Sequence, residues 1–129
     1  MTVWTNGCFD FIHAGHVEML EYARSLGDKL VVGLDTDERV KKSKGKNRPI
    51  HCLQQRLKVI SSLKFVDEVV YFSNNEELIQ KIKESEAKLI VVGSDYQNKI
   101  VIGSDIVEVK FFDRIKDLSS TRIINENCL

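Results

Sequence analysis

One proline, one tryptophan and three cysteines in 129 residues exclude several architectures at once. Cys8, Cys52 and Cys128 lie far apart, form no C-x-x-C pair and are odd in number. A disulfide framework or a zinc ribbon is therefore not expected, and a reducing, cytoplasmic setting fits best. Charge of neither sign prevails, because 19 Lys+Arg face 19 Asp+Glu and the formal net charge is zero. That argues against a protein that coats nucleic acid non-specifically, while leaving room for a local basic patch. No apolar run approaches the ~20 residues that span a bilayer, and the N-terminus lacks the charged-then-apolar pattern of a signal peptide, so no membrane partner is expected. What remains is 43% hydrophobic and 29% charged, enough apolar material for one buried core in one domain.

The chain alternates strand and helix signals. Thr2 to Thr5 is β-prone and ends on the turn pair Asn6-Gly7. From Gly15 to Leu26 the apolar residues Val17, Leu20, Ala23 and Leu26 recur every third position, a helix stripe closed by Gly27. Lys29 to Leu34 reads as a buried strand. Residues 36–52, polar and rich in lysine, read as an exposed loop with at most one helical turn. Leu53, Leu57, Ile60 and Leu63 mark a second helix, Val66 to Phe72 a strand, and Leu78 to Ile82 part of a third helix capped by Asn74 or Asn75. Lys88 to Val92 and Ile106 to Phe112 are further strands, and Ser119 to Asn125 a short final helix. Near-continuous apolar strands separated by helices predict an α/β domain, a Rossmann-like doubly wound parallel sheet. In such sheets ligands bind beyond the carboxyl ends of the strands, which directs attention to residues 6–16, 35–52 and 93–99.

The first of these loops carries the sharpest signal. Residues 5–16 read Thr-Asn-Gly-Cys-Phe-Asp-Phe-Ile-His-Ala-Gly-His. His13 and His16 are three apart and point the same way if they open the helix, with Gly15 leaving room for a ligand against the N-terminal N–H groups. Two imidazoles beside a helix N-terminus suit a phosphate and the charge that develops in phosphoryl chemistry. From the residues alone, a structural histidine pair stays open. A metal held by both is weaker, since His51 lies in a distant loop and only acids such as Asp10 are near. The segment 41–48 concentrates five cations in eight positions, which is either a solvated loop or a lid that neutralises a polyphosphate.

The string T-x-G-x-F-D-x-x-H-x-G-H resembles, over all twelve positions, the signature of the cytidylyltransferase-like nucleotidyltransferases. The resemblance implies that His13 and His16 bind nucleotide phosphates and stabilise the transition state at the α-phosphate, with Asn6, Gly7, Cys8, Phe9 and Gly15 shaping the nucleotide pocket. It implies a catalytic lysine in the basic loop, Lys44 or Lys46, through a Lys-Gly-x-x-Arg-Pro pattern over Lys44, Gly45, Arg48 and Pro49. Arg56 then faces a substrate phosphate, and Asp10, Lys46, Arg48, Lys64 and Arg114 are candidates for the acceptor phosphate. Gly93, Asp95 and Tyr96 match a G-x-D-[WY] turn that reads base and ribose. Ser119, Ser120 and Thr121 resemble a motif that binds the β/γ-phosphates, with Ser120 where the family has threonine.

The implied reaction is NTP plus a phosphorylated acceptor giving an NDP-linked product and pyrophosphate. Mg²⁺ is expected to travel with the triphosphate, on no dedicated carboxylate cluster. The acceptor stays open. Thr-Asn-Gly-Cys-Phe-Asp, Lys-Gly-x-x-Arg-Pro and Gly103-Ser104 resemble heptose-1-phosphate adenylyltransferases. Lys64-Phe-Val-Asp-Glu-Val and Arg114 resemble glycerol-3-phosphate cytidylyltransferases, and a flavin precursor is a third acceptor. A homodimer is usual in the family. A non-enzymatic nucleic-acid binder would use the 41–48 patch, yet should carry a basic excess that this chain lacks.

Overall fold

The computed structural model describes residues 1–94 and 99–113. In chain order it holds β1 (Thr2–Gly7), α1 (Ala14–Ser25), β2 (Lys29–Asp35), α2 (Asp37–Lys44), α3 (Leu53–Ser61), β3 (Glu68–Phe72), α4 (Asn75–Ser85), β4 (Leu89–Gly93) and β5 (Glu108–Phe112). The strands form one sheet in the order β3-β2-β1-β4-β5, and every neighbouring pair is parallel. The expected final helix lies outside the described residues.

Strand side chains alternate between two cores. Val3, Leu30, Val32, Leu34 and Val91 pack with Leu20 of α1 and Ile60 of α3 on one face. Trp4, Val31, Phe72, Ile90 and Val92 pack with Leu78 and Ile82 of α4 on the other. Burial on both faces explains why these strands are almost unbroken in apolar residues. Within the basic segment, α2 is the departure from expectation. Only Val40 among its residues is buried, so no apolar stripe announced it. Its helicity comes from its ends: Thr36 caps it through the Arg39 N–H, Asp37 and Glu38 lie in the first turn, and Lys41, Lys42 and Lys44 in the last.

The chain leaves β1 toward β2 and β3, then returns past both to place β4 on the other side of β1. This is where strand order reverses, and the ladder there is short: only Val3↔Leu89 and Trp4↔Ile90 pair. One residue further on, the buried Thr5 hydroxyl donates to the Val91 carbonyl at 2.7 Å. A side chain thus takes over where the backbones separate, and a cleft opens beyond it.

Gly103, before β5, adopts φ +98, and a Cβ there would meet Ile82 Cδ1 and Ile90 Cδ1 at 3.0 Å each. Gly103→Ala is expected to lower stability by about 1–3 kcal/mol through backbone strain and overpacking, read as a lower thermal midpoint.

Candidate active site

A cleft of about 1110 Å³ lies over the carboxyl ends of the strands and is lined from β1, α1, α2 and β4. Its floor begins with the end of β1. Phe9 takes a left-handed backbone (φ +49) and its ring comes close to Gly7, where a Cβ would sit 3.2 Å from it. The sharp turn expected at Gly7 is thus made at Phe9, and Gly7 clears space for the ring.

His13 is the N-cap of α1, in extended backbone, and its Nδ1 accepts the Gly15 N–H at 3.0 Å. His16, three residues on, accepts the His13 N–H through its own Nδ1 at 3.2 Å. The result is a reciprocal capping box built from two imidazoles, with ring centroids stacked 4.0 Å apart. Each Nδ1 accepts a backbone N–H, so each ring, when neutral, carries its own proton on Nε2. His16 lines the cleft, whereas His13 and its Nε2 are buried beside it. The spacing explains the glycine as well: a Cβ on Gly15 would meet His13 Cε1 at 2.9 Å. The first turn of α1 holds no acidic side chain, so its positive end is not internally neutralised.

A family model described as cytidylyltransferase-like matches residues 4–126. The chain belongs to the cytidylyltransferase-like family. It is a nucleotidyltransferase domain. The bifunctional protein HldE of Campylobacter concisus (strain 13826) is 51% identical over 125 residues, 95% of this chain and 26% of that protein. HldE of Campylobacter fetus subsp. fetus (strain 82-40) is 45% identical over 125 residues, 96% of this chain and 27% of that protein. The chain therefore spans about a quarter of the length of these curated relatives. A crystal structure of the lipopolysaccharide core biosynthesis protein from Thermoplasma volcanium GSS1 superposes with a TM-score of 0.75 at 28% identity, covering 90% of this chain and 98% of that one.

The other candidates of this cytidylyltransferase-like domain fall into three groups. Asn6, Cys8, Gly93, Lys44 and Arg48 line the cleft; Lys46 is exposed and does not. Burial pushes the Cys8 thiol up despite the nearby Lys44 and Arg56 charges, so it is a neutral wall and no thiolate. Asp95, Tyr96, Arg114, Ser119, Ser120 and Thr121 lie outside the described residues.

Three expectations need correcting. Arg56 is 1% exposed and faces carbonyls instead of the cleft. Its Nε donates to the His51 carbonyl (2.9 Å), Nη1 to those of Cys8 (3.0 Å) and Asp35 (2.6 Å), and Nη2 to Asp37 Oδ1 (2.7 Å). Lys64 precedes β3 and lies at the amino edge of the sheet, over the Phe65 ring, at the end opposite the cleft. Asp10 lines the cleft but is fully engaged as an anion: it accepts from Arg48 Nε and the N–H groups of Ile50 and His51, each at 2.8 Å. It therefore pins the 48–51 segment in place of meeting a phosphate that would repel it. Arg48, held there by its Nε, keeps Nη2 buried without a hydrogen-bond partner among the described residues.

Burial alone would push the Asp10 carboxyl up, but the His51 and Ile50 N–H groups and the Arg48 guanidinium together hold it below the ordinary carboxylate value. The unfolded chain then binds that proton more readily. The contribution to stability is complete above the unfolded value near ~3.9 and is lost as pH falls through the folded one. Asp10→Asn is expected to cost about 1–3 kcal/mol at pH 7 and to flatten the acid limb of stability against pH, measured by urea midpoints from pH 7 to 3.

Sequence reasoning missed Arg39 and its setting. Arg39 lies over the Phe72 ring, its Nε donates to Asp35 Oδ1 at 3.0 Å and its Nη2 to Asn75 Oδ1 at 2.9 Å, tying α2 and α4 across the cleft. Burial pushes the Asp35 carboxyl up, opposed by Arg39 and more weakly by Arg56 and Lys44. The i, i+4 spacing of Asp35 and Arg39 was the signal, legible only once α2 is a helix. Among the described residues no three His, Cys, Asp or Glu side chains gather into a metal cage, and none of the helices is long and apolar enough to cross a membrane.

Proposed function

We propose that this domain transfers the adenylyl group of ATP to heptose 1-phosphate. An oxygen of the acceptor phosphate, already anionic near pH 7, attacks the α-phosphorus in line, the bond to the β-bridging oxygen breaks, and pyrophosphate leaves. No general base is needed, so catalysis reduces to positioning and charge stabilisation. The observation that carries this reading is the pair of stacked imidazoles capping α1, of which His16 lines the cleft. Their Nε2–H groups are assigned to α-phosphate oxygens, Lys44 to the α/β-phosphates and Arg48, which lines the cleft, to the acceptor phosphate. Mg²⁺ carried with the triphosphate would help neutralise its charge.

For a sugar acceptor, support comes from the Thr-Asn-Gly-Cys-Phe-Asp opening, the Lys-Gly-x-x-Arg-Pro loop, and likeness to a protein named for lipopolysaccharide core biosynthesis. The same reading carries a cytosolic homodimer, which a native-mass measurement checks. The deciding experiment crosses ATP and CTP with heptose 1-phosphate and glycerol 3-phosphate and follows pyrophosphate. ATP with heptose 1-phosphate is expected to exceed every other pair at least tenfold; faster release from CTP with glycerol 3-phosphate would overturn the assignment.

A further inference from the structure

Trp4, the only tryptophan of the chain, is completely buried under the cleft, in the core on the α4 face. A buried indole N–H needs an acceptor, and a strand interior offers backbone carbonyls for the purpose. Here it donates instead to a side chain, Asn6 Oδ1, at 2.8 Å. Two residues apart on β1, both project from the same face, and Asn6 lines the cleft. Because an indole N–H can only donate, the atom it meets must be the carboxamide oxygen, which fixes which end of Asn6 is which. The NH₂ group is left as the end that can serve a ligand. The backbone under it is fixed too, since Asn6 pairs with Gly33 in the β1–β2 ladder. Gly33 also makes room for the indole: a Cβ there would come 2.6 Å from Trp4 Cζ2.

We propose that Trp4 is a positioning residue that holds the Asn6 carboxamide as a pre-oriented donor to a phosphate oxygen of the bound substrate. The proposal rests on the reading of the cleft as the nucleotidyl-transfer site and adds to it a lever reaching from the core into that site. Such pre-orientation works by holding the donor ready before the substrate arrives.

Two measurements on the full chain test it. In the first, Trp4→Phe keeps the ring and loses the N–H, and Asn6→Ala loses the donor. Each is expected to lower kcat/KM about tenfold, and the double variant to fall no further than either single one. Multiplying effects, or a fully active Trp4→Phe, would overturn the proposal.

The second measurement needs no turnover, because Trp4 is the sole indole and reports on its own bond. Asn6→Asp keeps an oxygen for the indole, so resting emission and thermal midpoint should match wild type. Affinity for ATP or for heptose 1-phosphate, titrated separately by emission, should nevertheless fall at least tenfold. The ligand that weakens identifies which phosphate Asn6 serves. Wild-type emission that responds to neither ligand, or equal affinities in Asn6→Asp, would overturn the inference. Absence of pyrophosphate from wild type with every substrate pair would instead overturn the proposed reaction, leaving the emission result to decide the role of Trp4.

Discussion

His16→Ala is expected to lower kcat by about 10²–10³, the magnitude typical of removing one pre-oriented donor from developing transition-state charge. The ring donates from Nε2 because Nδ1 is already occupied by the His13 N–H at 3.2 Å, so its direction is set before any substrate arrives. His13 is the less informative target, since it is also the N-cap and its loss removes the acceptor for the Gly15 N–H. His16 has a structural share of its own as the N3 member of the capping box, and that share can be separated from catalysis. A glutamine is the ordinary N3 partner in such boxes, so His16→Gln should restore acceptance from the His13 N–H and return the thermal midpoint to that of wild type. Its amide cannot reproduce the stacked position of Nε2–H, so kcat should stay low. Single-turnover rates beside thermal unfolding of both variants check this. A His16→Ala enzyme with unchanged turnover on every NTP and acceptor would sink the assignment.

The parts of the fold legible in the sequence were those decided locally. Runs such as Leu30 to Leu34 and Leu89 to Val92 are apolar on both faces because both faces are covered, and that alone pointed to a parallel sheet. The third-position stripe from Val17 to Leu26 announced α1. By contrast α2 was invisible to periodicity, because Val40 is its one buried residue and its stability comes from Thr36 and terminal charges. In the site, His13, Gly15 and His16 were legible for a related reason: their mutual contacts all fall within four residues, so geometry follows from spacing. Arg56 was not. Its direction is set by carbonyls of Cys8, Asp35 and His51, three segments that meet only in the folded chain. An arginine at the start of a helix near phosphate-binding loops looks the same in sequence whether it faces a ligand or the loops themselves. Lys64 departs for a different reason: its position just before β3 puts it at the amino edge of a parallel sheet, away from the ligand end, whatever motif its charge matches.

Arg56→Ala is expected to destabilise the protein by about 3–5 kcal/mol, because several backbone carbonyls lose their donor at about 1–3 kcal/mol for each one left buried and unsatisfied. Four hydrogen bonds end on this guanidinium, and they join the end of β1, the end of β2, the start of α2 and the 51–52 turn. Truncation leaves buried carbonyls without donors and removes the bridge to Asp37. Arg56→Lys should recover little, since a single ammonium cannot meet acceptors spread around a planar fork. Urea unfolding at pH 7 should show a lower midpoint with little change in slope for both variants. The cleft walls are then also less firmly held, so KM for both substrates should rise before kcat falls in assays well below the melting temperature. If Arg56 touched a substrate phosphate instead, the signature would be inverted: the wild-type urea midpoint would be kept and the defect confined to turnover. The full occupancy of Nε and Nη1 by backbone oxygens selects the first outcome, because a guanidinium cannot turn toward a phosphate without abandoning three carbonyls at once.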